Sequence, residues 1–491
     1  MARPNILLLF TDQQRADALG ADGNPVIRTP NLDRLSREGT IFTSAFTPAP
    51  VCVPARCSLI HGRYPHRTGC ADNDDEMPTD RPSLMQALTA SGYRTHGIGK
   101  MHFTSDPQAL RGFQSREYQE EIRGRVEDDD YLQFLHANGF GHVHDPFGQR
   151  GEMYYIPQPA QMPARLHGTN WVGDRAVEFL HATDGEQPFF LFTSFIHPHP
   201  PFTPPTPWNK LYRAALMPLP HRPEGFEALQ TYANRHQNRY KYRDAGTDLN
   251  LLRAMKAYYY ACVSFIDYQV GRILAALEET GRLDNTLILF ASDHGEFLGD
   301  YGSFGKRSML NAAARVPLIA RYPERFVPGT QCDTPASLVD IMPTALAAAG
   351  KSGSVPGLDG LDLAEVAAGE HGDRMVLSQY QRRDLGTYLA VSRRWKYFYS
   401  APDRREFLLD RQQDPAETRN RAGLSLCREP LREMRGLLME LFRRDGYLEP
   451  LEGDGWRAFP QPELPADPDA GLLIQDAAWA APYQHIEGYS D

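Results

Sequence analysis

Two acidic pairs stand directly after strand-like runs, and their residue types suit a divalent metal. Asp12-Gln13 follows the apolar run Ile6–Phe10, and Asp293-His294 follows the run that ends near Ala291. Open α/β sheets bind ligands beyond the carboxyl ends of their strands. Two carboxylates, an amide oxygen and an imidazole converging there would make a site of mainly oxygen ligands. Either pair alone also fits a cap or a turn; it is their joint placement that favours a metal. The segment Pro50 to Pro65 is the second feature. It places Cys52 just before Pro54 and ahead of a helix start expected over Ala55–Ile60. A helix N-terminus favours negative charge, and Arg56 adds a cation one turn on. That setting suits an activated nucleophile or an anion cradle, and a buried small hydrophobe is the plain alternative. Cys52, Cys57, His61 and His66 do not read as zinc ligands. Only three residues separate Cys57 from His61, against about 12 between the ligand pairs of a finger.

Three further groups fall after strands. Gly99-Lys100-Met101-His102 sets a cation and an imidazole two residues apart, on one side of an extended segment. His199 lies in His197-Pro198-His199-Pro200-Pro201, expected as a stiff extended loop after the strand Phe189–Ser194. Lys306 follows Asp293-His294. Taken singly, a loop histidine or lysine is a solvated surface group. Taken together, Arg56, Lys100 and Lys306 would surround one metal and form a socket for a tetrahedral oxyanion.

The elements that must position these groups alternate between strands and helices. Strands are expected at Ile6–Phe10, Ile41–Phe46, Tyr93–Ile98, Phe189–Ser194 and Leu287–Phe290, with helices at Pro30–Glu38, Ser83–Ala90, Trp171–His181 and Leu249–Glu279. Thr29 is expected as N-cap, Pro30 at N1 and Gly39 past the end of the first of these helices. Such alternation predicts an α/β fold, with a large mixed, mostly parallel sheet sandwiched by helices. After about Gly372 come four short strands and a helix near Leu431–Arg444, expected as a small C-terminal antiparallel sheet with one helix. The reading therefore divides the chain into a catalytic domain 1–371, an antiparallel-sheet subdomain 372–450 and a tail 451–491. The tail carries Trp456, Trp479 and Tyr483 and is expected to pack on the body or on a neighbouring subunit of a homo-oligomer.

Composition bounds the function. Of the 491 residues, 52 are Lys or Arg and 62 are Asp or Glu, so the chain is acidic. An acidic chain without a basic stripe is a poor partner for nucleic acid, and an anionic substrate needs a local cluster of cations. No apolar run reaches the length of a membrane span. Six cysteines without a C-x-x-C pair suit a reducing compartment. With no leader pattern ahead of Asn5, the expected location is the cytoplasm.

These residues resemble the sulfatase family of the alkaline-phosphatase-like superfamily. Cys52-x-Pro54-x-Arg56 matches the family core, whose cysteine is oxidised to formylglycine. Asn5–Asp12, Thr29–Asp33, Gly62–Pro65, Gly99-Lys100-x-His102, Ser292–Glu296, Arg315–Pro317, Val339–Thr344 and Asp410–Pro415 extend the match over nearly the whole chain. The resemblance implies one divalent metal on Asp12, Gln13, Asp293, His294 and an oxygen of the modified Cys52. It implies a hydrated aldehyde at Cys52 as the nucleophile, with Arg56, Lys100 and Lys306 around the sulfuryl oxygens. His199 would be the acid for the departing alcohol, and His102 would assist release of sulfate. A formylglycine-generating enzyme is the implied maturation partner, and a small-molecule sulfate ester the implied substrate. The sequence departs from the family where Ala55 replaces the usual Ser, Gln13 a common Asp and His294 a common Asn. Asp-Gln with Asp-His is similar to the choline-sulfatase and phosphonate monoester hydrolase branches, so Ca²⁺ is the default metal and Mn²⁺ the alternative. The same likeness leaves a phosphonate monoester or phosphodiester hydrolase as the second reading, against which the intact Gly99-Lys100-x-His102 element argues.

Overall fold

The structure, a computed structural model, describes residues 3–464 except 123, 184 and 242–247. Among the described residues, eight strands make the main sheet: β1 (Asn5–Thr11), β2 (Thr40–Phe42), β3 (Arg94–Gly99), β4 (Ser115–Tyr118), β5 (Phe189–Phe195), β6 (Thr286–Ser292), β7 (Leu318–Arg321) and β8 (Thr330–Cys332). Their order is β4-β3-β5-β1-β6-β7-β2-β8. Neighbours run parallel except at β7, which opposes both β6 and β2. The expected fold class is the observed one.

The helices α1 (Pro30–Glu38), α2 (Cys52–His61), α3 (Leu84–Ala90), α4 (Gly168–Ala182) and α5 (Leu249–Glu279) explain why β1 is buried at every position and apolar from Ile6 to Phe10. Ile6, Leu8 and Phe10 pack with Cys57, Leu59 and Ile60 of α2 and with Leu84 and Leu88 of α3. Leu7 and Leu9 share the opposite core with Leu32, Trp171, Val172, Ile266 and Val270. A strand covered on both faces cannot alternate apolar with polar residues. The two cores hold the carboxyl ends of β1 and β6 in one fixed register, with Thr11 opposite Ser292.

Some expectations need correction. Thr29 precedes α1 as expected but makes no side-chain cap bond to it; its hydroxyl accepts from Gly20 N and bonds Asp33. The cap comes instead from Asp267 of α5, whose carboxylate accepts from Asn31 N (3.1 Å) and Leu32 N (2.8 Å). Ile41–Phe46 is not one strand. Beyond β2 the backbone turns to new partners, with Ala336 N donating to Ser44 O and Val316 N to Ala45 O, so Ala45–Phe46 pairs with Ala336–Ser337 outside the main sheet. The loop at His199 is folded rather than extended. His199 N returns to Ile196 O at 3.1 Å, and His197–Pro198 and Pro200–Pro201 are cis.

The four C-terminal strands Val376–Tyr380, Thr387–Val391, Trp395–Ser400 and Arg405–Asp410 form one antiparallel sheet in chain order. Tyr397, Leu408 and Leu377 on one face pack with Met434, Leu438 and Phe442 of α6 (Arg428–Arg444). Val376, Leu389, Phe398 and Phe407 on the other pack with Phe46 and Leu310 of the body. Trp456, in a hairpin after α6, lies flat on Tyr399 with ring centroids 4.6 Å apart and donates Nε1–H to Tyr397 Oη at 2.7 Å. Trp479 and Tyr483 lie outside the described residues. Among the described residues, no helix is long and apolar enough to cross a membrane.

Candidate functional site

All ten residues of α2 are buried and Cys52 is the first of them, so the helix starts three residues earlier than Ala55. Pro54 sits in the first turn, where its missing N–H costs nothing. Val53 N–H is capped by Asn73 Oδ1 at 3.0 Å. This delivers Cys52 Sγ to the ends of β1 and β6, 3.2 Å from His294 Nε2 and 3.8 Å from Asp12 Oδ1.

Ligand atoms of Asp12, Cys52, Asp293 and His294 all lie within 4.8 Å of one another, and all four residues are buried. Two details test whether a metal fits. His294 Nδ1 faces Gly295 O at 3.1 Å, which places its proton there and leaves the Nε2 lone pair toward the carboxylates. Gln13 donates its amide N–H to buried Glu296, so its buried Oε1 is left without a partner. An orphaned amide oxygen, two carboxylates and an oriented imidazole form the donor set that a Ca²⁺- or Mn²⁺-type ion takes.

Cations surround this group. Lys306 Nζ is 2.8 Å from Cys52 Sγ, and Lys100 Nζ is 2.6 Å from Asp12 Oδ2. Both lysines are buried. The backbone places Lys100 tightly, because a Cβ on Gly99, at φ +84°, would meet Ser194 O at 2.1 Å. Arg56 is committed inside the protein. Its guanidinium donates to Asp12 (3.1 Å), Asp293 (3.1 Å), Lys100 O (2.7 Å) and Ser194 Oγ (3.1 Å).

Titration follows from this packing. Burial pushes the Asp12 carboxyl up, but Lys100, then His199 and Lys306, outweigh it and hold it well below the usual carboxylate range. Burial and Asp12 also push the Cys52 thiol up, yet Lys306 and Lys100 draw it well below its ordinary value. Asp293, buried beside Asp12, is raised.

His199 is buried and its Nδ1 sits 3.1 Å from Glu121 Oε2 and 2.7 Å from Pro200 O. Burial carries its imidazole down to about 3, against the pull of Glu121. His102 is placed by Glu120, which accepts from its backbone N–H at 2.8 Å; its Nδ1 is buried without a partner. The neighbouring His197 does different work. It stacks on His167 at 5.0 Å and bonds Thr169 and Thr203, which is a packing role.

The structure thus gathers Asp12, Gln13, Cys52, Arg56, Lys100, Asp293, His294 and Lys306 at one point, with His199 reaching it through Glu121 and Lys100. Three groups escaped sequence reasoning: Glu121, Glu296 and Asn73. Glu296 stood inside the conspicuous run Ser292–Glu296. Glu121 follows the short edge strand β4 in a stretch that carries no motif.

A family model described as "Sulfatase" matches residues 4–351, and one for the C-terminal part of N-sulphoglucosamine sulphohydrolase matches 299–443. An arylsulfatase of Clostridium perfringens is 31% identical over 91% of this chain and 96% of its own. A choline-sulfatase of Rhizobium meliloti is 30% identical over 86% and 82%. Among solved structures, a phosphonate monoester hydrolase of Agrobacterium radiobacter superposes with a TM-score of 0.79 at 25% identity, covering 90% of this chain and 96% of that one.

Proposed function

The chain belongs to the sulfatase family and is a sulfuric ester hydrolase, and from that premise we propose that it cleaves the sulfate ester of a small organic alcohol or phenol with Cys52 converted to formylglycine. The observation that carries this reading is Cys52 Sγ lying within reach of Lys306, His294 and Asp12 at once. Asp12, Gln13, Asp293 and His294 would hold the metal, which when bound polarises a sulfuryl oxygen and the nucleophile. Formylglycine supplies, through its hydrate, one oxygen to attack sulfur and a second to expel sulfate.

The chain's own residues do the rest. Lys306 Nζ and Lys100 Nζ flank the position of the nucleophile and hold the sulfuryl oxygens as charge shifts onto them. Arg56 acts through Asp12 and Asp293, fixing both carboxylates so that they need not reorganise. His199 Nε2 is the proton donor to the departing oxygen, because Nδ1 is occupied. A sulfate anion between the two lysines offsets part of the positive field that opposes protonation of His199. His102 accepts the proton released when sulfate leaves.

Beside Lys306, a cavity of about 370 Å³ is lined by Asp72, Tyr232, Ala233, Gln237, Arg307 and Tyr380. Gln237 accepts from Lys306 N at 3.2 Å, which ties the cavity wall to the segment carrying Lys306 and makes this cavity our candidate for the alcohol part of the ester. All six cysteines are free and buried, which supports a cytoplasmic location.

A phosphonate monoester or phosphodiester hydrolase is the second reading, favoured by Gln13 and His294 in the ligand set and by the likeness to the Agrobacterium enzyme. Comparing kcat/KM for phenyl sulfate and phenyl phosphonate, on protein co-produced with a formylglycine-generating enzyme, separates the two. A ratio well above one is expected, and a ratio well below one replaces the first reading by the second. Mass measurement of the peptide carrying Cys52 checks the conversion independently.

A further inference from the structure

Glu121 stands outside the metal group and outside every motif of the sequence, yet its side chain is only 11% exposed and faces two working groups. Its Oε2 lies 3.1 Å from His199 Nδ1 and 2.8 Å from Lys100 Nζ. Its backbone oxygen is held by Arg150 Nη2 at 3.0 Å, and Arg150 lies over the Tyr154 ring, which meets the His199 ring edge-on at 6.2 Å. The segment after β4 is therefore pinned where the imidazole needs it.

Both groups at His199 Nδ1, the Glu121 carboxylate and the Pro200 carbonyl, are acceptors. Nδ1 must carry a hydrogen, and any proton exchange occurs at Nε2. An anion on Nδ1–H favours the imidazolium, the form an acid must have before it can give a proton away. The other charges facing this ring are Lys100 and Lys306, which disfavour the imidazolium, and Asp12, which favours it.

We propose that Glu121 is the positioning residue that makes His199 an acid, holding Nδ1–H so that Nε2–H points at the departing oxygen. This rests on the reading of His199 given above. As the bond from sulfur to the leaving oxygen breaks, both its electrons go to that oxygen. The Nε2 proton follows, His199 is left neutral with Nδ1–H still on Glu121, and solvent later restores the proton. Lys100, on the same carboxylate, is kept at a fixed distance from the acid.

The test measures kcat/KM over aryl sulfates from nitrophenol to unsubstituted phenol and on to an alkyl sulfate, for the wild type, Glu121→Gln and His199→Ala. Glutamine can still accept from Nδ1–H but carries no charge. Glu121→Gln should lose about 30-fold on the alkyl ester and at most about threefold on the nitrophenyl ester, a steeper leaving-group dependence. Because each protein is compared with itself across substrates, a partly unfolded variant does not blur the ratio. Combining both substitutions should steepen the dependence no further than His199→Ala alone. If Glu121→Gln loses equally on all esters, or loses nothing, while His199→Ala is steep, the proposal falls and His199 remains the acid. If His199→Ala itself loses equally on all esters, the reading of His199 falls and the proposal with it.

Discussion

Two sets of buried lysines, Lys396 in the C-terminal sheet and Lys100 with Lys306 at the candidate site, stand in different surroundings. In the C-terminal sheet, Lys396 is fully buried with Nζ 2.6 Å from Glu417 Oε1 and 2.8 Å from Asn311 Oδ1. Glu417 in turn accepts from Asn311 N at 2.6 Å. At hydrogen-bond distance one cation meets one anion and neutral groups complete the set, with Arg411 and Arg315 further off, and the ensemble ties the small sheet to the body. At the carboxyl ends of β1 and β6, Arg56, Lys100 and Lys306 meet Asp12, Asp293 and Glu121, in a group whose Asp12, Cys52, Asp293 and His294 could hold a metal ion. A divalent ion added there leaves positive charge over. Buried charge that closes on itself holds a fold together, whereas buried charge with a surplus is built to take an anion.

The largest expected effect probes the open arrangement. Cys52→Ala should fold and keep its melting temperature within a few degrees, while kcat/KM on phenyl sulfate falls by about 10⁴-fold or more. Circular dichroism and kinetics on the same preparation decide it. Full activity in that variant refutes the nucleophile assignment.

The closed arrangement should break differently. Lys396→Met leaves Glu417 buried without its partner, at a cost of about 3–5 kcal/mol in unfolding free energy. Adding Glu417→Gln should recover a good part of that, because no lone charge then remains inside. Urea unfolding of both variants measures the difference, and a single variant no less stable than the double would contradict the closed-pair reading. Lys306→Met should show the opposite balance. Its unfolding midpoint should move little while kcat falls by about 10²- to 10³-fold, measured with saturating phenyl sulfate.

How much of this contrast was legible in the sequence depends on what each residue answers to. The strands β1, β5 and β6 were readable because both of their faces are covered, which leaves the apolar runs 6–10, 189–192 and 287–291; the short strands β4, β7 and β8 carry no such run and were not. The convergence of Asp12-Gln13 with Asp293-His294 was readable because the pairs follow β1 and β6 directly. Asp267 as the cap of α1 was not readable, since it acts across 236 positions of chain from Asn31 and sits mid-helix, where aspartate is a poor helix former. Glu121 was hidden for a related reason. A carboxylate has no signature of its own, and its partners, Lys100 and His199, approach only once β4, β3 and β5 are aligned. The Ile41–Phe46 run misled because apolar pairs stand on both sides of Thr43 and Ser44, where the backbone changes sheets.

The smallest expected effect is a slope with pH, and it separates the two lysine environments without testing catalysis. Burial, opposed by Glu417, lowers Lys396 to about 8, whereas Asp12 and Glu121 outweigh burial at Lys100 and hold it well above its ordinary value. An unfolded lysine titrates near 10.4. Between about pH 8 and 10.4 the unfolded chain therefore binds more protons at position 396 than the native one does, so this group makes stability rise with pH across that window. The slope it adds is at most about 1.4 kcal/mol per pH unit. Other groups, tyrosines above all, titrate in the same range, so the informative quantity is the difference between wild type and Lys396→Met. Unfolding by urea at half-unit steps from pH 7.5 to 10 should give wild-type stability that gains on the variant as pH rises. A difference that stays flat would mean that Lys396 keeps its proton, and that its pair with Glu417 holds charge as firmly as the site holds it on Lys100.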